Sequence, residues 1–232
     1  MEVMFTLEGA HWRTKVNHVY QNTAAIGLWG QIEQPLYFCI HGYSLVLGIR
    51  FHSSSAAFLL RDNIDQFNNK VVDLTTILGN PLIELHLRLL EATSVLQQIE
   101  LVEGYLIQLL TRNVKVIPKI DLVRQVVKVL THKDFNDTID NVAEQYGITA
   151  RYLQKVFVQH TGLSPKLIMK INRFQNSLVL MEKNKYSLTT IAHECGYYDQ
   201  SHFVREFKSF AGYAPSGFQI EKSTAVLASP NK

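Results

Sequence analysis

The same short pattern occurs twice in this chain, 50 residues apart, and no other feature restricts its fold as much. Leu153, Phe157, Gly162 and Pro165 recur as Phe203, Phe207, Gly212 and Pro215. In each copy two apolar residues stand at i and i+4, a glycine able to end a helix follows five positions later, and a proline comes three beyond it. Upstream, Val142-Ala143-Glu144-Gln145-Tyr146-Gly147 resembles Ile191-Ala192-His193-Glu194-Cys195-Gly196 at an offset of 49, so the second turn holds one extra residue. A short helix with a small alanine for close approach, a glycine suited to a turn with positive φ, and a second helix make the helix-turn-helix pattern.

A wheel of about 100° per residue separates the faces of the two second helices. Leu153, Phe157 and His160 share one side of the first, with Arg151, Gln154, Lys155 and Val158 opposite. In the second, Phe203, Phe207 and Phe210 face inward while Ser201, Val204, Arg205 and Lys208 face outward. The polar members of these outward faces can reach base edges and phosphates in a major groove. One such face is an ordinary solvated surface, but two copies at a fixed offset read as a pair of DNA readers. Charge agrees with this. Residues 1–114 carry seven Lys/Arg against ten Asp/Glu, a net of −3, and residues 115–232 carry sixteen against ten, a net of +6. A basic half joined to a mildly acidic half suits a polyanion-binding module fused to something else.

The run Ile191 to Phe203, with Phe207-Lys208 and Gly212-Tyr213-Ala214-Pro215, resembles the signature of AraC/XylS-type bacterial transcription regulators. The resemblance covers residues 120–219. It implies an all-α domain in which two helix-turn-helix units are joined by one long helix, here Pro165 through Leu180, where Lys170, Arg173 and Phe174 fit the pattern. It further implies that both recognition helices enter successive major grooves of double-stranded DNA. Carried over by position, Arg151, Gln154 and Lys155 would contact bases or phosphates from the first unit. Gln200, Ser201, His202 and Arg205 would do so from the second, with Lys208 on phosphate. Three positions depart from the family: Ser177 where alanine is frequent, Val204 in place of a small polar residue, and Gln219 in place of an arginine. Activation of transcription and contact with RNA polymerase are further implications of the resemblance.

The N-terminal part reads differently. Val3–Leu7, Tyr37–Ile40 and Leu45–Ile49 are short runs rich in β-branched and aromatic residues, punctuated by Gly9, Gly27, Gly30 and Gly42. Ser53-Ser54-Ser55 can cap a short helix over Ala56–Leu60. Pro81 suits a first helical turn and is followed by Leu82, Leu85, Leu87, Leu89 and Leu90; a further helix is expected from Ser94 to Leu110. The pair is a helical hairpin that either forms a homodimer surface within 81–112 or packs on the sheet. Gly30-Gln31-Ile32 and Leu47–Phe51 resemble the cupin-like sensory region often fused to such DNA-binding domains, which implies a small-molecule effector, although the opening strands of a complete barrel are missing. The expected fold class is therefore α+β: a β-rich then helical sensory or dimerisation domain over 1–113, a linker at 114–120, the double helix-turn-helix domain over 121–220 and a tail at 221–232.

Several chemistries lack support. Two cysteines in distant parts of the chain, Cys39 and Cys195, exclude a disulfide framework and a four-cysteine zinc site. His11, His18, His41 and His52 form no His-x-His pair and have no carboxylate at a metal-ligand offset, so neither metal nor cofactor is expected. Cys195 stands where the repeat wants an apolar residue and reads as a buried structural thiol. No nucleophile is paired with a base, so an enzyme is not expected. The longest apolar stretch, residues 37–49, is too short to cross a bilayer and no export signal is visible, which points to a cytoplasmic protein without membrane contact. The competing reading is a ligand- or protein-binding sensor module with weak or secondary DNA binding.

Overall fold

The computed structural model describes residues 1–16, 19–33, 36–52, 55–60, 64–112, 117–132 and 138–218. They divide into two units. One is made chiefly of Met1–Ile32 and Leu36–Asp121, the other chiefly of Leu122–Val158 and the residues from Leu163 onward.

The first unit is built around β1 (Glu2–Gly9), which pairs antiparallel with β4 (Ile26–Trp29) on one side and β6 (Ser44–Arg50) on the other. A three-residue strand, β7 (Val71–Asp73), extends the sheet beyond β4. The apolar run at residues 3–7 forms the middle of β1, and side chains alternate between its faces: Val3 and Phe5 are fully buried, with Met4 between them on the other face. A second small sheet joins β2 (Arg13–Val16) to β3 (Val19–Asn22) and to β5 (Phe38–Cys39). Only two residues of the Tyr37–Ile40 run are strand, and β2, β3, β4 and β7 were not marked out in the sequence.

Helices α1 (Ala56–Leu60), α2 (Thr75–Leu78), α3 (Asn80–Glu91) and α4 (Val95–Arg112) complete this unit. Pro81 lies in the first turn of α3, where its missing N–H costs nothing. Leu82, Leu85 and Leu89 of α3 and Val102 and Leu109 of α4 enter the core with Val3, Phe5 and Leu28. The His86 ring shares a 2.8 Å hydrogen bond with the Thr6 carbonyl of β1. Leu87 and Leu90, counted with the same apolar face in the sequence, lie on the solvent side instead, as do Ile83, Leu96, Ile99, Ile107 and Leu110. Hairpin and sheet thus pack together, and a second apolar face is left over.

The second unit is helical, taking α5 (Ile117–Leu130) from Leu122 onward and then α6 (Ile139–Gln145), α7 (Ala150–Thr161), α8 (Pro165–Glu182), α9 (Leu188–Glu194) and α10 (Gln200–Ala211). The expected linker at 114–120 is already helix from Ile117, because Pro118 is tolerated as the second residue of α5; residues 113–116 lie outside the described residues. The repeat reaches further than its apolar positions. Thr138 and Ser187, 49 apart, accept from the backbone N–H of Asn141 and Thr190 and so cap α6 and α9. Thr149 and Asp199, 50 apart, do the same for α7 and α10 through Tyr152 and His202. Gly147 and Gly196 take the turns with φ of 62° and 72°, where a side chain would be strained.

Two separate cores result. Val123, Val126, Val142, Leu153, Phe157 and Ile168 make one; Phe174, Ile191, Cys195, Phe203 and Phe207 make the other. The Phe174 ring meets Phe207 and Phe210 at centroid distances of 4.9 and 5.1 Å. Phe207→Ala should therefore lower the urea-unfolding free energy by about 3–5 kcal/mol, the range for a buried aromatic. Burial, reinforced by the neighbouring Glu194 charge, pushes the Cys195 thiol from 9.0 to about 11. The thiol's contribution to stability is complete below about pH 9 and is lost as the pH rises towards 11. Melting temperatures of the intact chain should fall over that window, and those of Cys195→Ala should fall less steeply. Tyr197, whose phenol is likewise pushed up by burial, leaves a residual slope.

Candidate nucleic-acid interface

Helices α7 and α10 each have one buried and one exposed side, and the division follows the repeat. In α7, Leu153 and Phe157 are fully buried and His160 nearly so, while Arg151, Gln154 and Lys155 are exposed. In α10, Phe203 and Phe207 are fully buried and Gln200, Ser201, Arg205 and Lys208 are exposed. The amphipathic split is the cause: a helix with an aromatic residue every third or fourth position can satisfy a core only by turning its cationic and amide residues outward. Seven of the eight expected contact residues are therefore exposed, and His202 is half-buried. Val204 is a correction. Expected on the outward face, it is half-buried and packs against the second core with Phe210. Its wheel position lies at the edge of the apolar side, and the surrounding aromatic rings extend the core to reach it.

Local bonds shape the beginning of α10. The Asp199 carboxylate caps the helix by accepting the His202 N–H at 2.6 Å, and the Tyr198 N–H donates to His202 Nδ1 at 3.5 Å. On the first helix of the same unit, the Thr189 hydroxyl donates to Gln200 Oε1 at 2.7 Å. The carbonyl end of the Gln200 amide is thus engaged, and its NH2 end remains for an acceptor. Tyr198 is the residue by which the second turn exceeds the first, and it is 93% exposed. Sequence reasoning noted the extra residue without giving it a role; its signal was an aromatic inserted into an otherwise matching turn.

Glu206 was also missed. It lies on the buried side of α10, between Phe203 and Phe207, with its carboxylate held by Arg173 of α8 at 3.0 Å from each oxygen. An acid at an inward wheel position was the available signal, because a buried carboxylate demands a cation. Ser177, the other departure within the described residues, is fully buried and donates its hydroxyl to the Phe174 carbonyl at 2.6 Å, so it costs no unmet polar group. Gln219 lies outside the described residues.

The alternative chemistries find little to build on. Cys195 is fully buried, with its thiol raised rather than activated. Among the described residues no three His, Cys, Asp or Glu side chains converge; His11, His41 and His52 are exposed, and His18 lies outside the described residues. A hollow lined by Trp12, Trp29, Thr6, Thr23 and Val46 offers about 10 Å³, room for one water at most. No helix among the described residues is long and apolar enough to cross a membrane.

Comparison with known proteins bears on the same segment. Residues 142–220 match the family model of a helix-turn-helix domain. The chain is 31% identical over 78 residues to the HTH-type transcriptional activator RhaS of Pectobacterium atrosepticum, a match covering 34% of this chain and 28% of that protein. It is 30% identical over 97 residues to the Msm operon regulatory protein of Streptococcus mutans, covering 41% and 35%. The chain thus spans about a third of the length of the curated relatives it matches. Among solved structures, it overlays the C-terminal domain of AraT from Geobacillus stearothermophilus at 22% identity and a TM-score of 0.41, over 47% of this chain and 91% of that one. ToxT from Vibrio cholerae overlays at 16% identity and a TM-score of 0.43, over 93% and 86%. The C-terminal part of the chain, with two capped helix-turn-helix units in series, is thus similar to a helix-turn-helix domain and to segments of proteins named as transcriptional regulators.

Proposed function

We propose that this protein is a cytoplasmic, sequence-specific DNA-binding transcription regulator. In this reading α7 and α10 enter successive major grooves on one face of the duplex. The observation that carries it is the doubled arrangement of a buried aromatic side and an exposed cationic and amide side, each helix being capped at the end nearest its reading residues. Arg151, Gln154 and Lys155 contact bases or phosphates from α7. Gln200, Ser201, His202 and Arg205 do so from α10, and Lys208 sits on phosphate. No enzymatic step is assigned to the chain, and the relatives above are named as regulators.

Residues 121–220 form the DNA-binding domain in this proposal, 114–120 the linker, 221–232 a tail and 1–113 a sensory or dimerisation domain. A second copy covers the apolar side of the hairpin left exposed by Leu87, Leu90, Leu96, Ile99, Ile107 and Leu110. A small-molecule effector acts through the same domain. The name of one relative, a transcriptional activator, favours activation, and contact with RNA polymerase is part of this proposal.

Selection of bound duplexes from random DNA, at about physiological salt, tests the central claim. A bipartite motif with halves about one helical turn apart is the expected result; absence of any enrichment would transfer the function to the sensor domain. Arg205→Ala should cost about 1–3 kcal/mol at one base position and relax preference there alone. Lys208→Ala should weaken all sequences equally and lower the salt slope by about one. Because Thr189 engages the Gln200 carbonyl, guanine, with its N7 and O6 acceptors, is the base expected beneath Gln200. Thr189→Val should alter preference at that position and leave the one read by Arg205 unchanged. Analytical ultracentrifugation of Leu96→Glu should show a monomer where the parent chain sediments as a dimer.

A further inference from the structure

Near the middle of α8, two adjacent polar side chains hold different partners. Asn172, buried, donates its amide to the Thr131 carbonyl just past the end of α5 at 3.2 Å. Arg173 forks onto Glu206 of α10, with Nη2 at 3.0 Å from both carboxylate oxygens and Nε at 3.3 Å from Oε1. Consecutive residues on a helix project about 100° apart, so one side of α8 grips the end of α5, which packs in the first core, and another side grips the second helix-turn-helix unit. The Glu206 side chain is 4% exposed. Lys170 of α8 and His202 of α10 stand further off, at 3.8 and 3.7 Å from Oε2. The Arg173 guanidinium also lies over the Tyr197 ring, 5.3 Å from its centroid.

The aromatic contacts between α8 and α10 would survive a small rotation of either helix, because apolar burial is non-directional. A planar guanidinium forked onto a carboxylate would not, since its hydrogen bonds depend on angle as well as distance. We propose that Glu206 and Arg173 are positioning residues that fix the rotation of α10 about the connecting helix. In doing so they set the spacer length the protein accepts between its two half-sites. This rests on the reading of α7 and α10 as DNA-reading helices, and it adds a determinant of specificity that touches no base.

The informative variant replaces both partners, Arg173→Met with Glu206→Met. Removing a buried ion pair as a unit leaves no orphaned charge and commonly preserves stability, whereas removing one partner does not. Thermal melting checks that the double variant is folded; Glu206→Gln alone, which keeps the shape and a weaker hydrogen bond, provides the second variant. Two readouts are taken. The first is affinity for duplexes carrying the selected half-sites with spacers varied one base pair at a time. The double variant should keep its half-site sequences while the preference for the best spacer over its neighbours falls about tenfold, the size of one mismatched base pair. The second needs no DNA: spin labels on cysteines replacing the exposed Lys155 and Lys208, in a chain carrying Cys39→Ser, report the α7–α10 distance. Its distribution should be narrow in the parent and broad in both variants. An unchanged distance distribution in the folded variants overturns the positioning role whatever the DNA results are. A broadened distribution in a protein that selects no bipartite site upholds the mechanical role and overturns the spacer role together with the DNA reading.

Discussion

A single helix has to serve two cores. With 18 residues α8 is about 27 Å long, and its first half contributes Ile168 to one cluster while its second contributes Phe174 to the other. Each cluster is small, and without α8 the second would be an open pair of short helices and the first would lose one side of its cover. The capping bonds of Ser164, Thr138, Thr149, Ser187 and Asp199 fix where five of the six helices begin. The polar grip at Asn172 and Arg173 falls where the helix passes from one cluster to the next, so the non-directional packing at both ends is tied to directional bonds between them.

What could be read beforehand follows the range of the interaction. The two units were legible because their signals are local: aromatic residues three and four apart, a glycine forced into positive φ, a proline opening the next helix. The outward faces came with them, since a wheel needs only neighbouring residues. Glu206 escaped because its meaning depends on Arg173, 33 residues earlier, and no periodicity links the two. Val204 was misplaced because a wheel treats a helix as isolated, whereas the rings around Phe210 widen the buried sector.

The N-terminal unit shows the same limit more sharply. β1 and β6 were legible as short runs rich in β-branched and aromatic residues, but β2 and β3 are largely polar or exposed strands, whose pairing is set by neighbours and not by a buried face. There Lys15 lies within about 6 Å of the rings of both Tyr20 and Tyr37, a cation between two aromatics that helps three very short strands stay together. The hairpin posed a choice between sheet packing and a partner, and each side of α3 answers differently: Leu82, Leu85 and Leu89 are buried while Ile83, Leu87 and Leu90 are not. Composition alone could not have split those leucines, because both stripes are equally apolar.

The separation of the two apolar clusters has a consequence for descent. Residues that pack in only one cluster share no buried partner with the other, α8 being the element common to both. Each head is then free to accumulate changes at its own pace, without the epistasis that binds residues of a common core. On the proposed DNA-reading role, a lineage carrying this architecture would shift one half of its recognition sequence while the other is held by selection, passing through intermediates that never lose both.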